Sequence, residues 1–246
     1  MRSLRVALGG LAGVLVDPVG ASRAAVSRPY PVGILIVLGG LLVLLGAGTI
    51  PRQLFLLERL FGATGDPLAD LPRELMRGGL VRLIVADRLV PSPTIILAAL
   101  LLGWAVEPVL ALARDRRRAI WAVVLLSLAP LIVARLGELA VTYLISPKAA
   151  VIPADAIQMP HRFLTGPLLA WRGADPAPAW LELLDARFNL IVLWCIALWA
   201  VGLRELDGGG RWAAWHWLLP VSCVAGGAVA TWILGPLALT VLLRGP

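Results

Sequence analysis

The chain has 246 residues, 59% hydrophobic and 15% charged, with a mean hydropathy of +0.87. That balance is far from a soluble domain's and predicts an all-α, polytopic membrane protein. The formal charge of +7 resides in arginines dispersed among apolar segments, which argues against a nucleic-acid-binding face and points to the bilayer and its anionic headgroups as partners.

Residues 1–30 begin with Arg2 and Arg5, continue with the apolar run 6–16 and reach Asp17-Pro18. A cleaved signal peptide would share that opening. It would also place the most basic link of the chain outside, against the retention of arginine on the cytoplasmic side. An uncleaved amphipathic helix is therefore expected on the cytoplasmic face, with Arg2, Arg5, Arg23 and Arg28 toward headgroups and its Val/Leu face toward the acyl boundary.

The first span is expected over 31–50, bounded by Pro29 and Pro31 before it and by Pro51 after it. Gly39, Gly40, Gly46 and Gly48 make it suited to close helix packing. Residues 51–92 then read as an external loop, in which 74–90 has the spacing of a surface helix.

A second span over 94–113 carries Glu107-Pro108 and leads into the link Arg114-Asp115-Arg116-Arg117-Arg118. The arginines of this link define a cytoplasmic tip. Glu107 reads either as an interfacial ion-pair partner of those arginines or as a proton or cation ligand. The third span, 120–145, contains Pro130, where a kink is expected, followed by Arg135 and Glu138. Three residues apart on a helix, these two share a face and can pair. The alternative is a substrate or partner site.

An external loop is expected over 146–187, rich in proline, with His161 isolated from any metal-ligating set. The fourth span is expected over 188–203, a glycine-rich hinge follows, and the fifth is expected over 212–243. Trp199, Trp212, Trp215 and Trp217, with His216, read as an aromatic belt at headgroup level. Cys195 and Cys223 read as small buried residues without metal spacing.

The whole is expected to be one integral-membrane domain over 1–246, with its N-terminus cytoplasmic and its C-terminus external. Charge is shared almost evenly between the two faces, so this orientation rests on the density of arginine at the span ends. No nucleotide, zinc-hydrolase, serine-hydrolase or CxxC motif is present in the sequence, and the expectation is a non-enzymatic protein without a cofactor.

Three stretches resemble the divergent bacterial branch of the Yip1 family. Asp17-Pro18 followed by Ser27-Arg28-Pro29-Tyr30-Pro31 is similar to that branch's entry into its first span. The five-span plan with long first and third external loops is similar too. So is the passage from Phe188-Asn189 through Leu193-Trp194 to Val201-Gly202-Leu203, then a link, then 212–220. The resemblance implies an inner-membrane protein without catalysis, acting as a scaffold or as an accessory to transport or envelope assembly. Read from the residues, the alternatives are a permease subunit whose polar path is lined by Glu107, Arg135 and Glu138, and a small anchor subunit of a larger complex.

Overall fold

The computed structural model describes residues 2–62, 116–144 and 190–226, together with single positions between 78 and 104. Among the described residues all regular structure is helical. Helices α1 (Arg2–Val16), α2 (Pro18–Ser27), α3 (Pro31–Gly62), α4 (Arg117–Leu126), α5 (Pro130–Leu144) and α6 (Leu190–Leu206) are followed by helical residues 214–226.

The helix expected over the first thirty residues divides at Asp17. Pro18 has no N–H to continue α1 and instead takes the first position of α2, while the Asp17 carboxylate accepts the Gly20 N–H at 2.9 Å as the N-cap. Nor does α1 lie apart from the bundle. Ala7, Leu11 and Val14, one face at helical spacing, are buried in a single cluster with Ile34, Leu38 and Leu42 of α3 and Ala122, Leu125 and Leu126 of α4. The Val/Leu stripe assigned to the acyl boundary is thus partly a protein-packing face.

Helix α3 runs through Pro51 to Gly62, past the proline expected to end it. Proline removes one backbone donor and leaves the carbonyl four residues earlier unpaired. The freed carbonyl is that of Ala47, and those on either side of it accept side-chain donors, the Gly46 carbonyl from the Thr49 hydroxyl (2.7 Å) and the Gly48 carbonyl from the Tyr143 hydroxyl (3.1 Å).

Pro130 does interrupt the third apolar segment. The break falls over 127–129, where the Leu128 and Ala129 N–H groups bond three residues back, to the Leu125 and Leu126 carbonyls (3.3 and 3.0 Å). Ser127 Oγ donates to the Val124 carbonyl (2.7 Å) at the same place. Among the described residues two helical stretches are long and apolar enough to cross a membrane, Pro31–Phe55 and Arg117–Leu144, of 25 and 28 residues. At 1.5 Å per residue each exceeds the roughly 30 Å hydrocarbon thickness.

The helix directions follow from the contacts. Gly48 of α3 lies against Leu139 of α5, and Ile34 packs in one cluster with Ala122, so α3 and the α4–α5 pair start at the same end and run the same way. Helix α6 runs the opposite way: Arg116 Nη1 donates to the Leu206 carbonyl at 2.8 Å, and Gly202 faces Val123. Between them, the helical positions at 96–104 pass Gly39 of α3 near Ile96 and Trp121 of α4 near Gly103. The start of α3, residues 116–118 of the basic link and the turn after α6 therefore share one end of the bundle.

Helix α6 outlasts the expected boundary by three residues and stops at Leu206. Gly202, in the passage that resembles the Yip1 family, is a packing residue inside it. A Cβ there would collide with Val123 Cγ1, so its absence sets how closely α4 and α6 approach. The turn is made by Gly208 and Gly209, at φ +91° and +70°, values that glycine adopts without a side-chain clash. The Gly209 N–H donates to the Arg204 carbonyl at 2.9 Å and so closes the helix end.

Candidate functional site

Two places concentrate polar side chains. The first is inside the bundle, on the packed sides of α3 and α5. Arg135 Nη1 lies 2.6 Å from Glu138 Oε2, with both residues buried. The Thr142 hydroxyl donates to the Glu138 carbonyl at 2.7 Å, and Thr49 and Gln53 on α3 are each about 1% exposed. The i, i+3 spacing brings Arg135 and Glu138 together as the sequence implies. Buried charge is tolerable when paired and hydrogen-bonded, and the geometry here joins a base and an acid on the same helix.

The second place lies at the shared end and was not legible in the sequence. Arg23 Nε of α2 is 3.1 Å from Glu205 Oε2 of α6. The Glu205 side chain is only 4% exposed, and its Oε1 has no partner among the described residues. Arg116 reaches the Leu206 carbonyl across the helix end. Arg204 folds back over the turn, donating from Nε to the Gly210 carbonyl (2.9 Å) and from Nη2 to the Gly209 carbonyl (3.2 Å), with its guanidinium 4.9 Å from the Trp212 ring.

His216 is fully buried here, not interfacial as its neighbours suggested. Its Nδ1 accepts the Ala213 N–H at 3.0 Å, the reach-back of a helix's third residue to its N-cap, with imidazole in the place usual for Glu. A neutral ring accepting at Nδ1 carries its proton on Nε2. That atom lies 3.5 Å from Asp207 Oδ2, longer than a well-formed hydrogen bond. Trp199 likewise leaves the expected aromatic belt: it is 5% exposed and packs with Ile120, Val123 and Leu203. Trp212 and Trp217 stay on the outside, stacked with centroids 5.5 Å apart. Cys195 and Cys223 are half-buried free thiols.

Of the other residues singled out in the sequence, Asp17 and Pro18 cap and start α2, and Pro29 sits in the three-residue link to α3. Arg116, Arg117 and Arg118 are exposed at the start of α4. Glu107, Arg114, the loop 146–187 and residues 227–246 lie outside the described residues. No signal short of the fold could pair Arg23 with Glu205, which are 182 residues apart. His216 had a weak local one, three residues after a possible N-cap.

Comparisons with family models, curated proteins and solved structures find no match to this chain.

Proposed function

We propose that this chain is a non-enzymatic, multi-pass membrane protein, of the plan that the resemblance to the Yip1 family implies, acting as a scaffold or accessory through helix packing and lipid contact. The observation that carries this reading is the exterior of α3. Ile34, Leu38 and Leu42 are buried while Val32, Ile36 and Leu44 on the opposite side are 67%, 59% and 70% exposed. A helix apolar on both sides suits neither a soluble surface nor a solvated loop. Lipid is the solvent that such an exterior fits.

In this proposal the first span extends to Phe55 and the third occupies Arg117–Leu144. Spans near 94–113, 188–206 and 212–243 complete five, with the basic link and the N-terminal segment cytoplasmic and the C-terminus external. The shared end favours this arrangement, since alternation through five spans puts the start of α3, the link and the turn after α6 on one side. Arg135 and Glu138 then serve as a self-paired contact within the bundle.

A permease subunit is the second reading, favoured by the buried polar residues Thr49, Gln53, Arg135, Glu138 and Thr142. Single cysteines at Arg117, Arg135, Glu138 and Thr165, in a background lacking Cys195 and Cys223, separate the two when intact cells meet a membrane-impermeant thiol reagent. Labelling of position 165 from outside, of 117 only after lysis, and of neither 135 nor 138 is the expected result. Labelling of 135 or 138 from outside would replace the scaffold with a water-accessible path. Labelling of 117 in intact cells would overturn the orientation.

A further inference from the structure

We infer that the arginine-rich end of the bundle is a binding surface for the phosphate groups of anionic phospholipids, with Arg28, Arg118 and Arg211 as the binding side chains. The inference rests on the membrane reading above and deepens it, because that reading does not distinguish one arginine from another. The structure divides them into two sets.

Arg23, Arg116 and Arg204 each commit donors internally, to Glu205, to the Leu206 carbonyl and to the Gly209 and Gly210 carbonyls. Their work is to tie α2, α4 and the turn to the end of α6. Arg28, at the C-cap of α2, Arg118, in the first turn of α4, and Arg211, just after the turn, are exposed and have no partner among the described residues. They come from three separate segments that the helix directions bring to one end.

Among the described residues two acids lie at this end, Glu205, buried against Arg23, and Asp207, whose carboxylate is exposed beside His216, so the arginines outnumber them. Among the described residues no side chain caps the first turn of α4, so its backbone N–H groups add donors beside Arg118. A guanidinium presents paired N–H donors that match phosphate oxygens.

What favours a lipid phosphate over a soluble one is the apolar surface alongside. Trp212 and Trp217 are 46% and 43% exposed, and Leu218 beyond them is 61% exposed. Tryptophan prefers the headgroup level, and leucine the acyl region below it. A molecule with a phosphate at one end and hydrocarbon at the other meets both.

The test uses the full chain in nanodiscs of equimolar phosphatidylcholine and phosphatidylglycerol, with retained lipids counted by native mass spectrometry after release. The wild type should retain phosphatidylglycerol preferentially. The R28Q/R118Q/R211Q variant should lose that preference by about tenfold or more, given roughly 1 kcal/mol per arginine at an anionic surface, whereas R28K/R118K/R211K should keep most of it and R82Q all of it. Entry into the disc with an unchanged preference in the glutamine variant overturns this inference and leaves the membrane reading standing. Failure to enter any disc overturns both. Loss of the preference on adding inorganic phosphate, but not chloride at equal ionic strength, would assign the surface to a soluble phosphate and overturn the lipid assignment.

Discussion

Arg23 and Glu205 meet at 3.1 Å across 182 residues of sequence, and their contact fastens the N-terminal α2 to the end of α6. The pair is lopsided: the arginine side chain is 69% exposed and the carboxylate 4%. Water screens an exposed partner and weakens the attraction, but the buried acid still needs a donor. Removing the arginine should therefore hurt more than neutralising the acid. Arg23→Ala should cost about 1–2 kcal/mol, with Glu205→Gln in the same chain recovering much of it. Thermal unfolding of the four members of the cycle in detergent measures the coupling. Equal losses in R23A and in R23A/E205Q would mean that the contact does not hold the end together.

Gly202 should not accept a methyl group. With Val123 Cγ1 occupying the place of its missing Cβ, Gly202→Ala must push α4 and α6 apart, at about 1–3 kcal/mol for an overpacked contact. Val123→Ala in the same chain should restore most of the loss, since it vacates the space that the new methyl needs. The unfolding midpoints of the single and double variants decide this, and a fully stable Gly202→Ala would mean that the two helices do not pack through this position.

Arg135 and Glu138 are both buried, so removing one partner should cost far more than removing both. Arg135→Leu is expected to destabilise by about 3–5 kcal/mol, and Arg135→Leu/Glu138→Leu to lie close to the wild type. Chemical unfolding after purification reads the difference. If the double variant is as damaged as the single one, Glu138 depends on contacts beyond the arginine.

Tyr30 stands in the link before α3, and burial pushes its phenol above the ordinary value of 10.0. A raised value means that the fold holds the proton more tightly than the unfolded chain does. The corresponding stability is fully present below about pH 10 and is lost as pH rises through the raised value. Tyr30→Phe should flatten that part of the alkaline stability curve. The chain has only two tyrosines, so phenolate absorbance in a Tyr143→Phe background reports Tyr30 directly, and ionisation at the ordinary value would contradict its burial.

Several features were written locally and needed no fold to be read. The Asp17-Pro18 pair caps and starts a helix because a carboxylate oxygen and a ring without N–H each suit that position, a local signal that the expectation of one helix over the first thirty residues passed over. Pro130 breaks its segment because it cannot donate to the turn before it. Arg135 and Glu138 pair because three residues are nearly one helical turn. The two long apolar helical stretches, Pro31–Phe55 and Arg117–Leu144, announced themselves by length and composition. What only the tertiary structure decided is which way each of them faces. A segment apolar on every side has no periodicity to show its packed face, so the burial of Ile34, Leu38 and Leu42, the docking of α1 beneath them and the passage of α3 through Pro51 follow from neighbours far away in sequence. The same holds at the shared end. Glu205 and His216 look like ordinary interfacial residues until α2 and the turn close over them, because their partners are set by helix directions that no local pattern encodes.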